Sequence, residues 1–269
     1  MQIGNHVGCK DLDDAGLVAF LQHCAESGAP VFVHPWDMAN PDERLSNYMM
    51  GWTVGMPFET HLSITAMVLG GAFDRLPTSL RLCFAHGGGA FPYLLGRLEN
   101  AWHERTLARG KSAMPPSHYL DRFSVDSAVF DGRALRLLID TMGAERVLLG
   151  SDYPFPLGEQ QIGQLVRSCD ALGDEARAGV MGGNALAFFD LPASLPHHLE
   201  HEAHATVQRT RPERSAARPS ALEDAGGVVL TPPSTASPPP LSQLGWPALI
   251  GKLPPSHVRA IAAGSPPAA

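Results

Sequence analysis

The sequence predicts an α/β fold with a parallel sheet, and two observations lead to this prediction. Several apolar runs are too short for helices and have the composition of strands that are buried on both faces. Between them lie longer stretches in which apolar residues recur with the period of a helix. Strands that alternate with helices of ten or more residues form right-handed βαβ units, and these units build a parallel sheet.

Four predicted strands end at, or just before, a histidine or an aspartate. The run "VFV" leads into His34, "LCFA" into His86, "FSV" into Asp126, and "VLLG" is followed by Asp152. Because the carboxyl ends of parallel strands lie at one edge of a sheet, we expect the four side chains to share a cleft. A single Asp here could equally cap a helix, and a single His is more often structural. Several converging polar residues favour a functional site.

The predicted helices separate these strands and begin before the first of them. Helical periodicity covers residues 11–27, 58–74, 90–108, 131–143 and 158–170. Asp11 or Asp13 is the expected N-cap of the first helix, and Gly28 its C-terminal stop.

Imidazole and carboxylate together are ligands for zinc or a similar divalent ion, so the convergence of His34, His86, Asp126 and Asp152 predicts a metal site. The glycine run in "AHGGGAFP" suggests a phosphate loop, but it matches neither of the usual nucleotide-binding patterns. We expect these glycines to let the backbone pass close behind His86.

Longer motifs make a family resemblance specific. The strings "VFVHPW", "FAHGGGAFPYLLGRLENAW", "SVDSAVFD", "VLLGSDYPFPLGE" and "GNALAFFDL" resemble the second half of the aminocarboxymuconate-semialdehyde decarboxylase family. These are metal-dependent members of the amidohydrolase superfamily with a (β/α)8 TIM barrel, and the likeness runs from about residue 2 to residue 191. The resemblance implies a homodimer that removes a carboxyl group, without oxidation, from 2-amino-3-carboxymuconate 6-semialdehyde.

The resemblance also implies a role for eight residues. His34 and Asp152 match zinc ligands, and His86 matches the acid/base histidine. Arg97 and Arg105 match arginines that hold substrate carboxylates, the former across the dimer. Phe155 matches an aromatic residue of the pocket wall, and Trp52 and Tyr48 lie where the family also uses aromatic residues. Arginine suits these roles because its planar fork pairs with a carboxylate through two hydrogen bonds, although an arginine on a helix is commonly just a solvated charge.

The chain also departs from the family pattern. It lacks the His-x-His pair that supplies two further zinc ligands, and "MQIGNHVGCKDLDD" resembles the family's fourth strand and the helix after it. His6 does not match the missing pair. We therefore expect residues 1–192 to form an N-terminally truncated barrel of about strands 4 to 8, with an open edge that invites association.

Two alternatives to this function stay open. The first is another amidohydrolase-type decarboxylase or hydrolase that acts on an aromatic-derived carboxylic acid. The second is a non-catalytic remnant that survives as an interaction module. Loss of the His-x-His pair favours the remnant, whereas retention of His34, His86, Arg97 and Asp152 favours a catalytic lineage.

Composition limits the remaining possibilities. A hydrophobic content of 44% and a net charge of −7 fit a globular protein and argue against nucleic-acid binding. No apolar run is long enough to span a membrane, and the N-terminus has no signal core. The four cysteines lie far apart, which predicts reduced thiols in a cytoplasmic protein.

Residues 193–269 differ from the rest in being rich in proline, alanine and serine, which predicts disorder. The histidines of "PHHLEHEAH" in this tail lack the spacing of a zinc protease, so we expect at most adventitious metal binding.

Overall fold

A five-stranded parallel sheet lies at the centre of the computed structural model, which describes residues 1–36, 44–170 and 172–192. In chain order the strands are β1 (Gln2–Ile3), β2 (His6–Val7), β3 (Lys10–Asp11), β4 (Val31–Val33), β5 (Leu82–Phe84), β6 (Ser124–Asp126) and β7 (Val147–Leu148). The sheet order is β1-β4-β5-β6-β7, and every neighbouring pair is parallel, while β2 and β3 form a small antiparallel hairpin. The predicted α/β class with a parallel sheet is confirmed, and the predicted tail lies outside the described residues.

Eight helices connect and cover the strands within the described ranges. They are α1 (Ala15–Glu26), α2 (Met56–Leu69), α3 (Ala72–Arg75), α4 (Phe91–Glu104), α5 (Gly132–Met142), α6 (Gln164–Arg167), α7 (Asp174–Ala178) and α8 (Asn184–Phe189). Shorter turns of 3-10 or π type occupy Gly51–Gly55, His86–Gly88, Thr106–Arg109, Pro116–Arg122, Ala144–Arg146 and Gly179–Gly183. Of the described helices, none is long and apolar enough to cross a bilayer.

Helix boundaries differ from the sequence predictions in three places. The N-cap of α1 is Asp14, not Asp11 or Asp13, because the Asp14 carboxylate accepts the N–H of Gly16. The predicted 58–74 helix divides into α2 and α3, since Gly71 takes the left-handed conformation between them. The prediction of a helix over residues 158–170 is wrong for most of that range. The Glu159 side chain accepts two backbone N–H groups, those of Gly163 and Leu165, and only the short α6 follows.

The two faces of the sheet pack against different helices. Alternate strand residues such as Val33, Phe84 and Val125 belong to the main core with α1, α2, α4 and α5. Residues of opposite parity, Cys83 and Leu148, pack with Phe188 of α8 in a second cluster. This division follows from the period of two in a β-strand. All four cysteines are free thiols, as predicted, and all but Cys9 are buried.

Tyr119 is a buried polar group of this core. Its side chain is 2% exposed, and its ring stacks on Phe73 with 6.0 Å between centroids. The hydroxyl donates to Asp74 Oδ1 at 2.7 Å and accepts the N–H of Met114 at 3.1 Å. Burial raises the pKa of this hydroxyl, which therefore stays protonated well above neutral pH.

Replacing Tyr119 with phenylalanine is expected to lower the free energy of unfolding by about 1–3 kcal/mol, because the Asp74 carboxylate, the Met114 N–H and the Ser112 hydroxyl each lose a hydrogen-bond partner. Since the pKa is raised in the folded state, the hydroxyl's contribution is complete below the unfolded pKa of about 10 and is lost as the pH rises through the folded value. Urea unfolding at increasing pH should show the gap between the two chains narrowing above about pH 10. A constant gap would contradict this.

Candidate functional site

His34, His86 and Asp152 meet at the carboxyl edge of the sheet. His34 follows β4, His86 lies two residues beyond β5, and Asp152 lies beyond β7. Asp152 Oδ1 is 3.8 Å from His34 Nε2 and 3.7 Å from His86 Nε2. The two imidazole rings meet edge to face with 5.0 Å between centroids. The predicted convergence of these three side chains, which we call the rim cluster, is therefore present in the structure.

Two of the three residues of the rim cluster have unusual backbone conformations. His86 and Asp152 have φ values of 56° and 58°, a region that non-glycine residues seldom occupy. Gly87, Gly88 and Gly89 continue the positive φ values after His86. A side chain at Gly89 would collide with the carbonyl oxygen of Pro57, so the glycine run allows the close backbone approach that the sequence predicted. Strain of this kind collects at functional sites.

The electrostatic state of the rim cluster suits a cation. Burial, and then the neighbouring His86, lower the pKa of His34. The neighbouring His86 ring, 3.7 Å away, is the main reason that the pKa of Asp152 is lowered, and its effect outweighs burial. At neutral pH the cluster therefore contains a carboxylate and at least one neutral imidazole, the forms that bind a metal.

The geometry of the rim cluster also fits a divalent ion. One ligand atom from each residue lies within 4.8 Å of the others, and within the described ranges this is the one such group of three or more His, Cys, Asp or Glu side chains. Zinc binds nitrogen and oxygen at about 2.0–2.2 Å, so an ion between these atoms needs only small side-chain movements. The Nδ1 atoms of His34 and His86 are buried without a hydrogen-bond partner among the described residues. The Nε2 atoms therefore carry the interactions of both rings.

Asp126, the fourth residue of the predicted cleft, lies beside the rim cluster but has a different role. It is 7% exposed, and its Oδ1 accepts the N–H of Gly87 at 3.0 Å and that of Ala128 at 3.1 Å. Burial raises the pKa of this carboxyl group. Sequence reasoning placed Asp126 at the cleft and missed its attachment to the glycine turn. The sequence signal for this attachment was an acidic residue on a strand predicted to be buried, with three consecutive glycines at the end of the neighbouring strand.

The structure joins only one of the other predicted site residues to the rim cluster, and it does so through the backbone. The N–H of Phe155 donates to the carbonyl oxygen of Asp152 at 3.0 Å, and within the described part of the chain no side-chain hydrogen bond or ion pair connects the five residues to the cluster. The group has partly or fully exposed side chains and consists of Arg97, Arg105, Phe155, Trp52 and Tyr48. Arg105 follows the last residue of α4, about 20 Å along the helix axis from its start beside the cleft. The roles of these five residues stay predictions.

Comparisons with known proteins agree on the kind of protein. The profile of the amidohydrolase family matches residues 1–191. A 2-amino-3-carboxymuconate-6-semialdehyde decarboxylase of Dictyostelium discoideum is 45% identical over 192 residues, which cover 71% of this chain and 53% of that protein. The Caenorhabditis elegans protein of the same name is 42% identical over 173 residues, covering 64% of this chain and 43% of its own. The chain thus spans about half the length of these curated relatives.

A solved structure shows the same arrangement of strands and helices. The 5-carboxyvanillate decarboxylase from Sphingomonas paucimobilis superposes with a TM-score of 0.64 at 27% identity. The match covers 71% of this chain and 58% of that protein.

Proposed function

The chain belongs to the amidohydrolase family, and we propose that it acts as a metal-dependent decarboxylase of 2-amino-3-carboxymuconate 6-semialdehyde. The observation that supports this most directly is the rim cluster of His34, His86 and Asp152, which places two imidazoles and a carboxylate within reach of one cation. The proposed substrate is the one in the names of the two relatives that are 45% and 42% identical.

We propose that His34 and Asp152 bind the ion, and that the ion is zinc. Nitrogen and oxygen donors in this combination suit zinc, which binds such a site more strongly than manganese or iron does. When bound, a divalent ion supplies Lewis-acid chemistry and polarises substrate oxygens. Asp152 remains an anion at neutral pH because its pKa is lowered, so it is ready to bind a cation.

His86 is the proposed acid/base group. Decarboxylation breaks the bond between the carboxyl carbon and the substrate, CO2 leaves, and the electron pair that stays on the substrate carbon takes a proton. The His86 Nε2 lies 3.7 Å from Asp152 Oδ1 and can carry that proton at the same place where the ion binds.

The exposed residues have proposed roles in substrate binding. Arg97 and Arg105 carry guanidinium groups that would pair with the substrate carboxylates. Arg97 is exposed on α4, and we propose that in a homodimer it serves the site of the partner. Phe155, Trp52 and Tyr48 would form the apolar wall of the pocket.

A second candidate substrate class is an aromatic carboxylic acid. The fold is shared with 5-carboxyvanillate decarboxylase at 27% identity, and that enzyme's name gives an aromatic acid as its substrate. The same metal, acid/base histidine and arginines would serve either substrate, because both reactions replace a carboxyl group by a proton.

The purified chain, loaded with Zn2+, is expected to consume 2-amino-3-carboxymuconate 6-semialdehyde. The reaction is measured by the loss of the substrate's absorbance and by the release of CO2. Replacing His86 with alanine should lower kcat by about 10²–10⁴-fold, because the proton donor is lost. The control is His23→Ala, which removes an exposed histidine of α1 and should leave kcat unchanged.

Three outcomes would count against this proposal. Consumption of 5-carboxyvanillate without consumption of the semialdehyde would favour the aromatic-acid alternative. Metal-loaded protein that consumes neither acid would favour the non-catalytic alternative. A His86→Ala chain with wild-type kcat would refute the acid/base role.

A further inference from the structure

The buried carboxylate of Asp126 contacts the two chain segments that carry His86 and Asp152. Its Oδ1 accepts two backbone N–H groups, one of which belongs to Gly87, the residue directly after His86. The carboxyl group lies at the end of β6, and β6 is the strand between β5 and β7 in the sheet. Asp126 is thus the residue between the two loops of the rim cluster.

The bond to Gly87 holds a turn that would otherwise be easily deformed. His86, Gly87, Gly88 and Gly89 all have positive φ, and three of them are glycines, which have wide conformational freedom. The Gly87 N–H is buried and donates to the Asp126 carboxylate. Loss of that acceptor would leave an unpaired donor inside the protein. The turn, and with it the His86 ring, would then be free to adopt other conformations.

The segment that leads to Asp152 packs against the other side of the same carboxyl group. A Cβ at Gly150 would lie 2.7 Å from both Cβ and Cγ of Asp126, closer than real contacts of this kind. Ser127, the next residue, accepts the Gly150 N–H on its hydroxyl at 3.1 Å. Gly150 precedes Asp152 by two residues, so the position of Asp126 limits where the Asp152 loop begins.

We infer that Asp126 is a positioning residue, whose carboxylate fixes the turn of His86 and the strand end of Asp152 so that their side chains meet. The inference rests on the proposed function in one respect, that the rim cluster is the reacting site. What carries it is the pair of hydrogen bonds to Oδ1 and the packing of Gly150. The inference therefore predicts that the hydrogen-bond acceptor at position 126 is needed for the two side chains to meet, and that the negative charge is not.

Three substitutions test whether the acceptor oxygen or the negative charge of Asp126 is needed. Asp126→Asn keeps an oxygen that can accept both N–H groups and removes the charge. Asp126→Leu is close in size and removes both acceptors. The matched control is Asp131→Ala, because Asp131 also accepts two backbone N–H groups, those of Arg133 and Ala134, but does so at the exposed start of α5.

The first measurement needs neither metal nor substrate. In NMR spectra of the whole chain with labelled histidines, the rings of His34 and His86, 5.0 Å apart, should give a cross-ring nuclear Overhauser effect. We expect this effect to be retained in Asp126→Asn and in Asp131→Ala, and to be lost in folded Asp126→Leu. Retention of the effect in Asp126→Leu, or its loss in Asp126→Asn, would overturn the inference.

A second variant decides the question if Asp126→Leu does not fold. Gly150→Ala places a methyl group against the Asp126 carboxyl group and should likewise abolish the ring contact. An intact ring contact in folded Gly150→Ala would overturn the inference.

The second measurement is Zn2+ affinity by calorimetry. Residues that orient metal ligands typically contribute 10–100-fold to affinity. We expect a loss of about that size in Asp126→Leu, and less than about threefold in Asp126→Asn and Asp131→Ala. If the wild-type chain bound no Zn2+, the proposed function would fail, while the ring contact would still decide the role of Asp126.

Discussion

Replacing Asp152 with alanine is expected to weaken Zn2+ binding by at least about 100-fold. The substitution removes the one carboxylate of the rim cluster and leaves two imidazoles, which carry no negative charge to offset the charge of the ion. A residue that only orients a ligand contributes up to about 100-fold, and a ligand should contribute more. Calorimetric titration with Zn2+ at pH 7 measures the change.

Two controls make this prediction specific. Asp140→Ala removes an exposed carboxylate that pairs with Arg136 on α5, and it should leave the affinity unchanged. All chains should carry alanine at His197, His198, His201 and His204, which lie outside the described residues and could bind zinc adventitiously. An Asp152→Ala chain that still bound Zn2+ with wild-type affinity on this background would show that the ion binds elsewhere.

The second large effect concerns stability rather than metal. Phe123→Ala is expected to lower the free energy of unfolding by about 3–5 kcal/mol, the usual cost of deleting a buried aromatic ring. The Phe123 ring is 1% exposed and contacts the rings of Phe73, Phe84 and Phe91, with centroids 5.5–5.8 Å apart. Since Phe123 directly precedes β6, its loss opens a cavity next to the strand that carries Asp126.

Urea unfolding followed by circular dichroism checks this value. The matched control is Tyr93→Ala, which deletes an aromatic ring from α4 that is 77% exposed, and it should change stability by less than about 0.5 kcal/mol. A loss below about 1 kcal/mol in Phe123→Ala would mean that the aromatic cluster can close the gap, or is less tightly packed than the centroid distances indicate.

The strands and their polar ends could be predicted because the signal is local. Each of His34, His86, Asp126 and Asp152 lies at or near the end of a short apolar run, and the geometry of parallel strands then brings the four ends to one edge. The helix at 132–142 could be predicted equally well, since its apolar residues recur every three or four positions.

The features that could not be predicted depend on contacts between distant residues. The 158–170 stretch has helical periodicity, yet the Glu159 side chain satisfies the N–H groups of Gly163 and Leu165 and the helix is confined to four residues. The distinction between Asp152, which faces the histidines, and Asp126, which accepts backbone N–H groups, depends on a glycine turn from another strand. No local pattern encodes that choice.

The placement of the rim cluster on loops after β4, β5 and β7 would link binding of the proposed ion to folding. In the unfolded chain these residues are far apart along the polypeptide, so the cation site exists only while the sheet is assembled. An ion that binds the native state alone raises the free energy of unfolding by RT ln(1 + [L]/Kd), about 2.7 kcal/mol when the free ion is at one hundred times its Kd. The availability of the ion would then raise or lower the stability of this protein, quite apart from any catalysed reaction.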